Sequence, residues 1–337
     1  MRHQWIDALK GLGIILVIAM HSSVYFIFPT ISMMLTAGYM AMFFIVSGYT
    51  SKKENTILGI TKKAKRLLIP YFFYGILINS FFAILGNIDF KEWIGIVYSR
   101  FSLYPLGTPN NIILFSIHTT SPLWFLTAMF VSYIWFYIYI NLQQKKSRIL
   151  CILIYVIATI IMSDVQYLFP WSFDTSFICA IFIITGYELS GQAIKAYRKD
   201  ILYFLTLLAM LAMYIFIVKF NGTTNLSIRM YGNWGVFSII FYYLLSVFIT
   251  VLYGETFKIL NNTTLVRFFA FTGKHSLRIM CIHMPLVTYT GRVFASCGAI
   301  GIMATFIVAF LLSLAISIML EKLFCRYSCK CGLLKYL

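Results

Sequence analysis

The sequence predicts an all-α membrane protein, a polytopic helix bundle with about ten transmembrane helices and both termini in the cytoplasm. Three observations carry this prediction: the composition, the spacing of the apolar segments and the distribution of basic residues. Of the 337 residues, 61% are hydrophobic, 18% aromatic and only 11% charged, and the mean hydropathy is +0.87. Because soluble domains have roughly 45–50% apolar and about 25% charged residues, this composition excludes a water-soluble globule.

The apolar segments have the lengths of membrane-spanning helices. A helix needs about 20 mainly apolar residues to cross a hydrocarbon core of about 30 Å. We predict spans at 11–28, 35–50, 69–87, 122–141, 149–163, 172–189, 201–219, 232–253, 267–289 and 300–324. No flexible linker, low-complexity tract or internal repeat separates them, so we expect one membrane domain over 1–337.

The basic residues predict the orientation of these spans. If the N-terminus is inside, 20 of the 27 Lys and Arg residues fall in cytoplasmic segments and only five in outer segments. Basic residues accumulate in cytoplasmic loops, so this alternation predicts that both termini are cytoplasmic. Topology and contact with anionic membrane lipids then explain the formal net charge of +17, and we expect no nucleic-acid partner.

The first span carries an ionisable residue at each end of its apolar run. Lys10 precedes Gly-Leu-Gly-Ile-Ile-Leu-Val-Ile-Ala-Met, and His21 follows it. Eleven helical steps place His21 roughly 16 Å beyond Lys10, near the middle of the hydrocarbon core. An ionisable residue at that depth is a candidate for function. The alternative is a histidine that only packs between helices.

A basic cluster precedes the third span. The sequence Thr-Lys-Lys-Ala-Lys-Arg-Leu-Leu-Ile-Pro-Tyr contains Lys63 and Arg66, which share one helical face because they lie three residues apart. The positive-inside rule alone explains such a cluster. A sharper interpretation is a phosphate clamp that, together with Lys10, would bind a polyphosphorylated cytosolic ligand.

The outer side offers three candidate residues. The long outer segment 88–121 contains His118, and a loop of that length often caps a bundle or meets a ligand. Trp124 opens the fourth span, where an interfacial belt is the commonest role of tryptophan. Asp174 opens the sixth span, where it stabilises a helix N-terminus or, alternatively, contacts an outer ligand or orients a histidine.

The ninth span contains a second histidine. It begins with Gly-Lys-His-Ser-Leu-Arg, so Lys274 adds a cation on the inner side, and His283 lies about nine steps, roughly 14 Å, above Lys274. His21 and His283 therefore have similar predicted depths. Depth alone does not show which helices are neighbours, but it makes His283 a candidate partner of His21.

The seven cysteines indicate little chemistry. Three lie in predicted spans, where cysteine behaves as a small apolar residue. The spacing of Cys325, Cys329 and Cys331 matches no zinc pattern well. We therefore expect no metal cofactor.

Several segments together form a distinctive set. They are Trp-Ile-Asp-Ala-Leu-Lys-Gly leading to His21, Phe-Phe-Ile-Val-Ser-Gly-Tyr at 43–49, Lys-Arg-Leu-Leu-Ile-Pro-Tyr at 65–71, Leu-Trp-Phe-Leu at 123–126, Pro-Trp-Ser-Phe-Asp at 170–174 with Gly-Tyr at 186–187, and Gly-Lys-His-Ser-Leu at 273–277 leading to His283. In this order the set resembles the acyltransferase-3 family of integral membrane acyltransferases, over nearly the whole chain. The branch that it resembles most contains fucose-4-O-acetylase-like proteins and polysaccharide O-acetyltransferases.

The resemblance implies an enzyme of the bacterial inner membrane that moves an acyl group, usually acetyl, from cytosolic acyl-CoA to a hydroxyl of an extracytoplasmic or lipid-linked sugar. In the family pattern a cation and a histidine form the essential pair, here Lys10 and His21. The second pattern is two arginines separated by two residues, and here Lys63 takes the first place while Arg66 keeps the second. Lysine retains the charge but lacks the bidentate fork. Acyl-CoA is expected to bind at these three cations and at Lys274.

The resemblance also assigns roles in the reaction. His21 is expected to act as general base on the sugar hydroxyl, or to carry the acyl group as a transient acyl-histidine, and the sequence leaves both routes open. His283 and Asp174 would orient the base or the acceptor, and Trp124 and His118 would lie on the acceptor side. The expected partners are acetyl-CoA as acyl donor, a glycan or lipid-linked sugar, and membrane lipids.

Two other classes of function stay open at this point. A transporter or flippase for a lipid-linked glycan or a small polar substrate would use the same buried polar residues. The sequence lacks the repeated halves and the paired Gly/Pro-broken helices that many carriers have. A sensory or anchoring membrane domain is the other class. Dependence on CoA separates the acyltransferase from both.

Overall fold

The computed structural model describes residues 3–86, 90–103, 120–191, 201–327 and 336–337, and in these residues the chain is helical and forms no β-strand. Thirteen α-helices lie in this part of the chain. They are α1 Gln4–His21, α2 Pro29–Thr36, α3 Tyr39–Tyr49, α4 Thr56–Ile84, α5 Phe90–Tyr98, α6 Trp124–Asn141, α7 Lys145–Asp164, α8 Phe173–Gly191, α9 Ile201–Asn221, α10 Phe237–Ile259, α11 Thr264–Lys274, α12 Ser276–Val293 and α13 Gly298–Tyr327.

Nine segments of the described chain are long and apolar enough to cross a membrane, and they overlap nine of the ten predicted spans. The first of them, Gln4–His21, begins and ends seven residues before the predicted span 11–28. The predicted polytopic all-α bundle is thereby confirmed. The segment without a counterpart is the predicted span 267–289. That region is divided at His275 into α11 and α12, and α12 carries two arginines and a histidine within 18 residues, which lowers its hydropathy. Of these three residues His283 is buried, whereas Arg292 is exposed.

The second predicted span is also divided. It consists of the short helix α2 and the longer α3, which are separated by Ala37 and Gly38. Gly38 has a φ of +77°, a left-handed backbone conformation that costs glycine little. Ala37 and Gly38, at this break, line a cavity that lies at the C-terminal end of α1.

Helix α4 begins 13 residues before the predicted third span, 69–87. Its first turn is capped by Asn55, whose Oδ1 accepts a hydrogen bond from the backbone N–H of Ile57 at 3.0 Å. The basic cluster is therefore helical and continuous with the span. As a result Lys63 and Arg66 lie on one helical face, as their spacing predicts.

Glycines bring α1 into backbone contact with α11. A Cβ atom added at Gly11 would overlap the carbonyl oxygen of Phe269, and one at Gly273 would overlap the carbonyl oxygen of Asp7. Small residues allow this close approach between membrane helices. The crossing fixes the N-terminal half of α1, which carries Lys10.

A second reciprocal contact joins α3 to α8. A Cβ atom at Gly48 would overlap the carbonyl oxygen of Ile183, and one at Gly186 would overlap the carbonyl oxygen of Ile45. The residue before Gly48 is Ser47, which lines a cavity described below. Both crossings thus hold helices that carry candidate site residues at fixed positions.

Candidate active site

A cavity of about 460 Å³ lies near the N-terminal end of α1, and we call it the basic cavity. Lys10 of α1 and Lys63 and Arg66 of α4 line it. The structure therefore brings together three of the four residues expected to bind phosphate. Lys274, the fourth, is exposed at the end of α11 and is not among the described residues that line this cavity.

An aromatic ring in the wall of the basic cavity holds Lys63. The Nζ atom of Lys63 lies 3.7 Å from the centroid of the Tyr133 ring, so the ammonium group is stabilised by the ring face. The Tyr133 hydroxyl lies 2.5 Å from Oγ of Ser47 and 3.1 Å from Oγ of Ser51. This network on α3 and α6 keeps the lysine at the cavity wall.

The basic cavity also contains one carboxylate. Asp7 is buried and lies one helical turn before Lys10 on α1. The formal charges of the described lining are thus three cations, from Lys10, Lys63 and Arg66, against one anion. A concave site with this excess of positive charge attracts anionic ligands.

A second cavity, of about 790 Å³, lies at the C-terminal end of α1, and we call it the histidine cavity. Its volume is within the range of about 300–1,000 Å³ that is usual for small-molecule sites. His21 lines it and is accessible from it. Trp124, at the start of α6, lines it as well. His118 falls outside the described residues.

His21 and His283 lie in contact, as their matched depths suggest. Their ring centroids are 5.3 Å apart and the ring planes are inclined by 49°. The His283 side chain is fully buried, and its Nδ1 lies 3.1 Å and 3.0 Å from the carbonyl oxygens of Ile279 and Met280. Because carbonyl oxygens only accept hydrogen bonds, Nδ1 carries the proton and donates it.

This tautomer leaves Nε2 of His283 as a hydrogen-bond acceptor. Within the described chain, Nε2 is buried and has no hydrogen-bond partner. A buried polar atom without a partner costs free energy, and such atoms are common where a protein performs chemistry. The main chain of α12 therefore sets both the tautomer and the orientation of the ring that contacts His21.

The two cavities meet at Met280. Its side chain is 4% exposed and lines both cavities. The other helices around it contribute to both as well: α1 supplies Lys10 to one and His21 to the other, and α6 supplies Phe125 to the basic cavity and Trp124 to the histidine cavity. The flexible side chain of Met280 thus lies between the basic cavity and the histidine cavity.

Asp174 occupies the centre of a buried ion cluster. Nη2 of Arg100 lies 2.7 Å from Oδ1 and 2.8 Å from Oδ2 of Asp174, and Nη1 of Arg229 lies 2.7 Å from Oδ2. All three side chains are buried. The carboxylate falls in the first turn of α8 because Trp171 and Ser172, both with positive φ, turn the chain into that helix.

This ion cluster ties together three outer segments that are distant in sequence. Nη1 of Arg100 donates to the carbonyl oxygen of Ser227 at 2.7 Å, and Nη2 of Arg229 donates to the carbonyl oxygen of Val165 at 2.5 Å. Ser227 lines the histidine cavity, whereas Asp174 is not among the described lining residues of either cavity. Asp174 is therefore linked to the wall of the histidine cavity through Arg100, which binds both Asp174 and Ser227.

Comparison with protein families agrees with this arrangement. The family described as an acyltransferase domain, Acyl_transf_3, matches residues 3–322. The chain belongs to this acyltransferase family. With its nine apolar spanning segments among the described residues, it is an integral membrane acyltransferase. Comparison with curated proteins and with solved structures finds no match.

Several site residues of this acyltransferase were missed by sequence reasoning. For two of them, Arg100 and Arg229, a signal existed: they are two of only five basic residues in the predicted outer segments. A cation that stands against the positive-inside trend suggests a buried partner. Tyr133 and Met280 gave no such signal, because apolar and aromatic residues occur at nearly every position of the spans. Among the described residues, no group of three or more His, Cys, Asp or Glu side chains could hold a metal ion.

Proposed function

We propose that this acyltransferase moves an acetyl group from cytosolic acetyl-CoA to a hydroxyl of an extracytoplasmic or lipid-linked sugar, in the bacterial inner membrane. The observation that carries the proposal is the meeting of the basic cavity and the histidine cavity at Met280. Acetyl-CoA has its phosphates at one end and its thioester at the other. A donor of this shape fits two adjoining cavities: the basic cavity would bind its phosphates, and the histidine cavity would offer a base near its thioester.

The basic cavity would hold the phosphates of the donor. Lys10, Lys63 and Arg66 line it together, and charge-assisted hydrogen bonds from such groups to phosphate are stronger than neutral ones. Lys10 and His21 are separated by roughly 16 Å along α1. The slender pantetheine arm would extend over this distance past Met280, so that the thioester reaches the histidine.

His21 would act as general base in the transfer. Its neutral imidazole takes the proton of the sugar hydroxyl while the oxygen attacks the thioester carbonyl carbon. The C–O bond forms, the C–S bond breaks, and the departing CoA sulfur receives the proton from the imidazolium. The alternative route forms an acyl-histidine first, which the sugar hydroxyl then attacks.

His283 would position the base rather than react. Its Nδ1 is bound by main-chain carbonyls, so its Nε2 is available to accept a hydrogen bond from the N–H of His21. His21 would then present its other nitrogen, with a free lone pair, to the histidine cavity. A base that is oriented by a second side chain is the arrangement that activates nucleophiles in other enzymes.

The proposal is tested by transfer of radiolabelled acetyl. Purified protein is incubated with labelled acetyl-CoA and an envelope glycan extract, and both free CoA and labelled glycan are measured. His21→Ala is expected to lower turnover at least about 100-fold, the usual contribution of a general base, and to keep acetyl-CoA binding. Retained turnover in this variant would exclude His21 as base. Movement of unmodified glycan without release of CoA would instead support a carrier.

A further inference from the structure

The described lining of the histidine cavity carries no formal charge. Twenty-eight described residues line it, and none of them is Asp, Glu, Lys or Arg. His21 is the one histidine of the described lining.

The lining combines hydroxyl or amide groups with aromatic rings. Thr30, Ser102 and Asn225 are among the polar members, and Tyr25 and Trp124 are among the aromatic ones. Hydroxyl and amide groups both donate and accept hydrogen bonds. Aromatic faces pack against apolar C–H surfaces. Sugars present these two kinds of surface, since their ring faces carry C–H groups and their edges carry hydroxyls.

Two buried guanidinium groups, Arg100 and Arg229, lie outside the described lining of this cavity and share the carboxylate of Asp174. The guanidinium carbon of Arg100 lies 6.0 Å from the centroid of the Trp124 ring, behind the cavity wall. Its nitrogens bind Asp174 and the carbonyl oxygens of Ser227 and Phe169. Neither Arg100 nor Arg229 is among the described lining residues, so this cluster adds no cation to the described lining of the cavity.

We propose that the sugar which enters the histidine cavity is uncharged: a neutral hexose, deoxyhexose or N-acetylated hexosamine residue, and not a uronate, a sialate or a sugar phosphate. This inference rests on the proposed function, because it concerns the acceptor of the same reaction. Where the acceptor is attached to a lipid carrier, the phosphate of the carrier stays outside the cavity.

The physical reason is the cost of burying an unpaired charge. An ion that leaves water for a poorly polar site loses several kcal/mol of solvation unless a counter-charge replaces the water. The basic cavity has such counter-charges, whereas the described lining of the histidine cavity has none. The basic cavity thus favours anionic groups, whereas the histidine cavity disfavours them.

Matched acceptor pairs test this inference. The methyl glycosides of glucose, galactose and mannose are each compared with the corresponding uronate, which differs only in having a carboxylate at C6. Acetyl transfer from acetyl-CoA is followed by mass spectrometry of the products. We expect kcat/KM for the preferred neutral glycoside to exceed that of its uronate at least about 100-fold, as burial of an unpaired charge requires.

A designed charge makes the test specific to the cavity. Thr223 is exposed and lines the histidine cavity, so Thr223→Lys adds a cation there. We expect this variant to reduce the neutral-to-uronate ratio at least about tenfold. Ser296→Lys is the control, because Ser296 is exposed and is not among the described lining residues, and it should leave the ratio unchanged.

The outcomes separate this inference from the function on which it rests. Wild-type protein that acetylates a uronate as efficiently as its neutral partner overturns the inference and leaves the acetyltransferase intact. An unchanged ratio in Thr223→Lys overturns it as well. Protein that transfers acetyl to none of the glycosides, and releases no CoA with envelope glycan either, overturns both.

Discussion

Lys63 and Arg66 are two cations of the basic cavity that have different surroundings. They share a face of α4 and line the basic cavity, but their surroundings differ: Lys63 is half-buried against the ring of Tyr133, whereas Arg66 is exposed. The ring fixes the position of the lysine. The planar guanidinium of Arg66 can bind two phosphate oxygens at once. Arg66 is therefore expected to provide most of the directional binding.

Arg66→Ala is expected to weaken acetyl-CoA binding at least about tenfold, because it removes charge-assisted hydrogen bonds worth about 1.5–3 kcal/mol. The neighbouring Lys65→Ala removes the same charge from an exposed residue that is not among the described lining residues, and should change binding little. Calorimetry on both variants at two salt concentrations measures this. Equal losses in the two variants would mean that only the general basic charge of α4 matters.

Asp174→Asn is expected to destabilise the fold rather than act on the chemistry alone. The change leaves Arg100 and Arg229 buried without their counter-charge, and breaking such a pair costs about 3–5 kcal/mol. The midpoint of thermal unfolding in detergent should fall, and lost transfer should follow the lost folded protein. Asp164→Asn, at an exposed end of α7, is the matched control. An unchanged midpoint with abolished transfer would place Asp174 in the reaction itself.

Among the helices, the length of an apolar run was enough to predict most spans, but it did not predict where the backbone bends. The long apolar runs gave nine of the ten spans, because each must satisfy its backbone hydrogen bonds internally. The break at His275 lies two residues after Gly273, but a glycine also occurs inside the unbroken helix α4, as Gly75, so this signal alone did not predict a break. The start of α4 at Thr56 was missed because hydropathy does not detect the polar first turns of a helix.

In the candidate site too, some features could be predicted from helical spacing, whereas others depend on how the helices pack. Helical spacing alone placed Lys63 and Arg66 on one face and gave His21 and His283 similar depths. Which helices are neighbours depends on tertiary contacts, such as those of Gly11 with α11, that a single sequence does not contain. For the same reason the cavity wall at Met280 could not be foreseen.

Gly186→Ala is expected to lower the thermal midpoint, because the new methyl group would overlap the backbone of α3 at Ile45. Overpacking of this kind typically costs about 1–3 kcal/mol. Gly291→Ala is the matched control: its nearest neighbour, a methyl group of Thr305, is 3.9 Å from the new Cβ, and alanine favours a helix by up to about 1 kcal/mol. A midpoint that falls equally in both variants would contradict the close crossing of α3 and α8.

At the scale of the whole molecule, the bundle places two chambers of different chemistry end to end. The positive-inside distribution predicts that the basic cavity faces the cytoplasm, where acyl-CoA is present, and that the histidine cavity faces outward. α1 lines both chambers, with Lys10 in one and His21 in the other. Under the proposed function, an acyl group would cross the membrane while CoA and the sugar stay on their own sides.

The proposed function is tested by calorimetric binding of acetyl-CoA to purified wild-type protein, Lys10→Ala and His21→Ala, each shown to be folded by its thermal midpoint. We expect the wild type to bind acetyl-CoA and His21→Ala to bind it with nearly the same affinity. Lys10→Ala should bind at least about tenfold more weakly, and the difference should shrink at high salt. Absence of binding to folded wild-type protein, or equal affinity in Lys10→Ala, would contradict it.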